Sequence, residues 1–112
     1  MDDGKVIITE AKLQAALDGL VSTDESCATF RVEVSRKEYL CKVARAKIFL
    51  TTEGSVEQRK SLAEVSKEVE SAEEARLTMM GEYEKIKANR ETSTLIIEVW
   101  RSENKNRREG NL

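Results

Sequence analysis

The sequence predicts an all-α protein, a long antiparallel helical hairpin of coiled-coil type preceded by a short N-terminal helix. Three observations lead there. The chain of 112 residues contains no proline and only five glycines, so little in it interrupts a helix. Charged residues make up 36% of it and aromatic residues 4%. Such a composition suits long helices that bury a narrow seam better than a core filled with Phe, Tyr and Trp. The third observation is one strong break, FLTTEGSVEQRK, at residues 49–60. Gly54 fits the left-handed position just beyond a helix end, Ser55 is a natural N-cap, and Gln58 completes a capping box three residues later. Helices are therefore expected over about 23–52 and 55–107, joined by a turn at 53–55, with residues 1–22 as a separate N-terminal segment.

Each element follows from its own pattern. TEAKLQAALDGL reads as a short amphipathic helix over 9–21, capped by Thr9, with Leu13, Ala16, Leu17 and Leu20 on one face. Ser22 and Glu25 form a second capping-box pattern that would start the next helix near Thr23. Within it, TFRVEV alternates Phe30, Val32 and Val34, the period of a strand. Helix is the reading adopted for 28–34, because a lone strand would have no partner. Farther on, Val34, Cys41 and Ile48 stand seven apart, with Leu40, Val43, Ala44 and Ala46 near the same side.

The last helix carries the strongest signal. From Leu62, steps of three and four reach Val65, Val69, Ala72, Arg76, Met79, Tyr83, Ile86, Arg90, Ser93, Ile97 and Trp100. This is a heptad seam, and a packing seam is what such a stripe ordinarily is. An unbroken helix from 55 to 107 would be roughly 75 Å long. Gly81 inside it reads as a kink or a close-contact point.

The unequal helices carry a consequence. With the turn at Gly54, Val34 should lie near Glu74 and Cys27 near Gly81. A first helix that starts near Thr23 leaves residues 86–107 overhanging by roughly 30 Å. That overhang holds TLIIEVW, the most apolar stretch of the chain, with its only tryptophan. Water is a poor environment for such a face. The N-terminal helix folding back and a second copy of the chain together would cover it, giving a homodimer. Tyr83, Ile86, Arg90, Leu95, Ile97, Trp100 and Arg101 are the expected dimer or partner interface. Arg76 or Arg90 would pair with glutamates across it and fix its register.

Chemistry is scarce. Without histidine, the usual imidazole base and the commonest zinc ligand are missing. Two isolated cysteines do not make a structural zinc site. On one helix Cys27 and Cys41 stand about 21 Å apart, too far for a disulfide. No phosphate-loop, dinucleotide, nucleophile-elbow or calcium-loop pattern occurs. The acidic run EVSKEVESAEEA reads as a solvated face. No enzyme, no cofactor and no metal are expected. MDDGKVIITE lacks the features of a signal peptide, and no apolar run approaches the roughly 18–20 residues that span a bilayer. A cytoplasmic protein with no membrane partner is expected.

Nucleic acid is the competing partner. Arg36, Lys37, Lys42, Arg45 and Lys47 line a basic stretch, and Arg107 and Arg108 add charge near the end of the chain. Such a face neutralises phosphates and binds in a strongly salt-dependent way. It could equally meet an acidic protein. Two features oppose it: a net charge of −2 with pI near 5.4, and the hairpin register, which sets the acidic run opposite the basic one. The terminal cations also complement the helix dipole.

KIFLTTEGSVEQRKSLAEVSKEV and YEKIKANRETSTLIIEVWRSENKNRREGN together resemble a group of small uncharacterised accessory proteins of tailed temperate bacteriophages. These carry a similar EGSVEQRK turn and IEVWRSENKNRREGN ending. The likeness covers roughly residues 40–111 and rests on helix punctuation and interface residues. It implies a phage accessory protein acting in the host bacterial cytoplasm, and it transfers no site residues. The expected function is therefore non-enzymatic: binding and modulating a host macromolecule, for example inhibiting a nuclease, polymerase or defence complex, with a host protein as the expected partner. The alternative is a DNA-binding accessory factor in phage recombination or replication.

Overall fold

The structure is a computed structural model and describes residues 8–110. Residues 1–7 of the expected N-terminal segment, and 111–112, lie outside the described residues. Three helices follow one another: α1 (Glu10–Thr51), α2 (Val56–Glu64) and α3 (Lys67–Gly110). No strand occurs among the described residues. The all-α expectation holds, and 28–34 is helix.

Thr9 caps α1 as its sequence suggests. Its hydroxyl accepts from the Lys12 backbone N–H at 3.1 Å, and its carbonyl accepts from Leu13 N–H at 2.9 Å. The expected break near Ser22 is absent, because α1 runs on through it. Ser22 and Thr23 do not cap a new helix there. Both hydroxyls donate back to the Gly19 carbonyl, at 3.3 and 2.6 Å, which is what such residues do inside a helix. A continuous heptad explains the outcome. Leu13, Ala16, Leu20, Thr23, Cys27, Phe30, Val34, Lys37, Cys41, Ala44 and Ile48 are spaced by three and four without interruption, and every one is buried or half-buried. Phe30 and Val34 belong to that seam, whereas Val32, their partner in the strand-like alternation, points outward.

The turn lies where its sequence puts it. Gly54 has φ +122°. Ser55 Oγ accepts from Gln58 N–H at 3.2 Å while the Gln58 side chain accepts from Ser55 N–H at 2.9 Å, so both halves of the capping box form. The α1 carbonyls left without helical partners are met locally: Thr52 Oγ1 donates to Ile48 O at 2.6 Å, and Arg59 Nε donates to Phe49 O at 3.0 Å. The Arg59 guanidinium also lies 4.1 Å from the centroid of the Phe49 ring.

The expected single helix over 55–107 is corrected. α2 ends at Glu64, and Ser66 opens α3, accepting from Val69 N–H at 3.2 Å and donating to Ala63 O at 3.0 Å. This break resets the helical phase. Leu62 and Val65, placed on the seam by their spacing, are 48% and 77% exposed, and Ala63 is buried instead. From Val69 onward the expected seam holds: Val69 is 1% exposed, and Ala72, Arg76, Met79, Tyr83, Ile86, Arg90, Ser93, Ile97 and Trp100 are half-buried. Gly81 marks neither a break in α3 nor a close contact. It is exposed within α3, and an added Cβ would meet nothing within 4 Å.

The chain divides into two compact units, one formed by 1–25 with 86–112 and the other by 26–85. In the first, Ile8 N–H donates to Glu103 Oε1 at 3.0 Å, Gly19 faces Ser93, and Arg90 reaches Leu20 and Asp24. Partner numbers fall on one strand of this pairing as they rise on the other, so the two segments run antiparallel. In the second unit the end of α1 packs against α2 and the start of α3, with Cys41, Ala63 and Val69 buried. Residues 86–103 are not left overhanging, because Ile8 and the first sixteen residues of α1 run beside α3 within the first unit.

Candidate interaction surface

The residues expected at a dimer or partner interface divide between the two units. Tyr83 belongs to the hairpin unit of 26–85; Ile86, Arg90, Leu95, Ile97, Trp100 and Arg101 belong to the other. Ile86, Arg90, Ile97 and Trp100 are half-buried on the seam of α3. Leu95, 59% exposed, and Arg101 face outward. Arg90 does not await a glutamate on another molecule. Its Nη1 donates to Leu20 O and to Thr23 Oγ1, both at 2.8 Å, and its Nη2 to Asp24 Oδ1 at 2.6 Å. Arg76 likewise donates to Glu73 Oε1 at 2.7 Å within its own helix. The two seam arginines are thus satisfied inside the chain, and they give no ground for an intermolecular register.

The basic stretch of α1 is largely paired as well. Arg45 bridges the break between α2 and α3, donating from Nε to Glu64 at 2.7 Å and from Nη2 to Glu73. Lys47 Nζ lies 3.6 Å from Glu68, and Arg36 Nε lies 3.3 Å from Glu33. Lys37 occupies a seam position and is half-buried, whereas Lys42 is exposed. Arg107 and Arg108 are exposed in the last turn of α3, in the other unit, where they complement the helix dipole.

Titration follows this geometry. Hydrogen bonds from Arg45, then from Arg76, hold the Glu73 carboxyl below the usual carboxylate range. The same contacts hold both guanidiniums above their ordinary value. For Arg45 the leading cause is the bond to Glu64, followed by that to Glu73, and for Arg76 it is the bond to Glu73. Cations fixed in this way have fewer directions left in which to meet a phosphate.

Two apolar features remain that the sequence reading did not single out. One is an open groove of about 640 Å³ at the hairpin tip, lined by Arg45, Ala46, Phe49, Leu50, Lys60, Ala63 and Glu64. Its walls are almost wholly apolar, with Lys60 and the Arg45–Glu64 pair at the rim. The other is a stripe on the outer side of α1. Val32, Tyr39, Val43, Ala46 and Leu50 fall at steps of three, four and seven, and all are exposed, Tyr39 to 64% and Leu50 to 75%. Leu40, Val43 and Ala46, expected near the side of Val34, Cys41 and Ile48, are thus exposed, and only Ala44 of that group is half-buried. The stripe was legible as a second 3–4 pattern in TFRVEVSRKEYLCKVARAKIFL, out of phase with the first. The groove was not, since it depends on the short α2 that the Ser66 break creates.

Among the described residues no group of acidic or sulfur side chains is arranged to hold a metal ion, and no helix is long and apolar enough to cross a membrane. No protein-family model, curated protein or solved structure matches this chain.

Proposed function

We propose that this chain is a non-enzymatic phage accessory protein that binds and modulates a protein of the host cell, receiving it at the hairpin tip. The observation that carries this reading is the apolar groove between the end of α1 and α2. Ala46, Phe49, Leu50 and Ala63 offer apolar walls, and Lys60 supplies a cation at the rim. This combination suits an amphipathic helix that presents an apolar anchor with a carboxylate beside it. The tip is also well fixed: the capping box, the Arg59–Phe49 contacts and the Arg45 bridge hold α1, α2 and the start of α3 together. A preformed groove loses little freedom on binding. The EGSVEQRK turn and IEVWRSENKNRREGN ending support the phage setting and hence the bacterial cytoplasm as the place of action.

The ion pairs of Arg36, Arg45 and Lys47 count against a DNA-binding role for the same helix. Affinity capture from host extract separates the readings. A stoichiometric protein should be retained by the wild-type chain and by Lys105→Glu, and lost with Lys60→Glu. A DNA mobility shift at low salt that vanishes by about 0.2 M salt, with no protein captured, would favour the nucleic-acid reading instead.

A further inference from the structure

We infer that the outer face of α1 is a homodimer interface, in which two copies pair antiparallel about a two-fold axis at the level of Cys41. The face carries a second heptad register, independent of the seam that α1 buries inside the chain. Its inward positions would be Val32, Arg36, Tyr39, Val43, Ala46 and Leu50, spaced alternately by four and three. All are exposed, and four are large apolar side chains that the chain itself leaves uncovered.

The pattern is self-complementary. In an antiparallel coiled coil each layer joins one kind of core position to the other. Here that sets Val32 against Leu50 of the second copy, Arg36 against Ala46, and Tyr39 against Val43. Two-fold symmetry repeats every layer. A receptor for the most exposed apolar knob is already present. A depression on this face is lined by Ala28, Thr29, Val32, Glu33 and Arg36. Four of these stand at i, i+3, i+4 and i+7, the four-residue hole that receives a core knob. In this register the knob is Leu50, the most exposed large apolar residue of the helix along with Val21.

Charge complementarity fixes the direction. Flanking the stripe on one side are Glu33 and Lys47, which within one chain lie 3.3 Å from Arg36 and 3.6 Å from Glu68. The register brings Glu33 of each copy to Lys47 of the other, adding two surface pairs related by the axis to those within each chain. On the other side Lys42 meets its own symmetry mate, a like-charge contact that weakens the dimer at low salt. A parallel pairing in register would instead set Lys42 of each copy against Lys47 of the other and leave Glu33 facing Ala28. Opposite charges thus favour the antiparallel arrangement. Ala46 and Leu50 also line the groove at the hairpin tip, so a second copy and a host protein compete for that end of α1. Tyr39 and Val43 lie off the groove, and substitutions there should abolish self-association while leaving partner capture intact or stronger.

Sedimentation equilibrium between about 1 and 100 µM, with helicity followed by circular dichroism, tests the inference. The wild-type chain should dimerise in this range. Tyr39→Glu should be monomeric and fully helical, while Lys42→Ala should dimerise more tightly. Glu33→Lys and Lys47→Glu should each weaken the dimer about tenfold or more, and the two combined should restore it. A wild-type monomer at 100 µM would overturn the inference. So would a dimer indifferent to Tyr39→Glu, or one that the double charge exchange fails to rescue.

Discussion

The guanidinium of Arg90 grips the Leu20 carbonyl oxygen at 2.8 Å, joining residues seventy apart in the sequence across the pairing of α1 with α3. The same side chain holds Thr23 and Asp24, so one cation ties a whole turn of α1 to the seam of α3. Its side chain is 25% exposed and that of Asp24 is 66%. Arg90→Ala should therefore cost about 1–3 kcal/mol of unfolding free energy, and Asp24→Ala less than about 1 kcal/mol. Denaturant unfolding of the two variants and their combination measures both terms. Equal losses would mean that the ion pair, and not the half-buried bonds to Leu20 and Thr23, provides the stabilisation.

Ser66 separates α2 from α3 by capping the latter. Ser66→Ala removes the hydroxyl that accepts from Val69 N–H and should cost about 1 kcal/mol. Hydrogen exchange at Val69 and Glu70 should quicken in this variant more than exchange in the middle of α3. Unchanged exchange at those amides would show that the break does not depend on the cap.

Two glycines make an internal contrast. Gly54 sits at φ +122°, and an added Cβ would lie 2.6 Å from Gln58 Oε1, the acceptor of the capping box. Gly54→Ala should thus lose about 1–3 kcal/mol through backbone strain and a disturbed cap. Gly81 is helical with open space around it, and Gly81→Ala should gain about 0.5–1 kcal/mol. Thermal midpoints moving in opposite directions check the pair.

Glu73 supplies a pH dependence whose sign is fixed. Its folded-state carboxyl is held below the usual range by Arg45 and Arg76. The stabilisation is present in full above the unfolded carboxylate value and is lost as pH falls through the lower folded one. Thermal midpoints between about pH 5 and pH 2 should fall more steeply for the wild-type chain than for Glu73→Gln. Parallel profiles would remove Glu73 as a source of acid lability.

How much of this was legible in the sequence depends on what each residue had to compete with. The turn at Gly54 could be read because positive φ and the Ser55–Gln58 capping box are local demands. The seam from Val69 to Trp100 could be read because its period is long and unbroken. Ser22–Glu25 misled for the opposite reason: a capping pattern lost to the heptad running from Leu13 through Cys27 to Ile48, since a continuous buried seam outweighs a cap of about 1 kcal/mol. The break at Ser66 is masked in the sequence by Leu62 and Val65, whose spacing extends the seam across it, although Glu68 and Glu70 behind it mark a helix start. The uncovered face moved accordingly. Ile97 and Trp100 sit on a seam that α1 lines from within the chain, and the apolar surface left outside is the stripe and groove of α1 and α2.

The pairing of 8–25 with 86–110 inside one molecule underlies that shift, and a cross-link tests it most directly. Gly19 faces Ser93 closely enough that an added Cβ would lie 3.5 Å from the serine oxygen, within reach of a disulfide. In a background carrying Cys27→Ser and Cys41→Ala, oxidation of Gly19→Cys combined with Ser93→Cys should give a cross-linked monomer, with a yield independent of protein concentration. Covalent dimers through these two positions, increasing with concentration, would contradict the account: residues 86–101 would then be covered by a second chain.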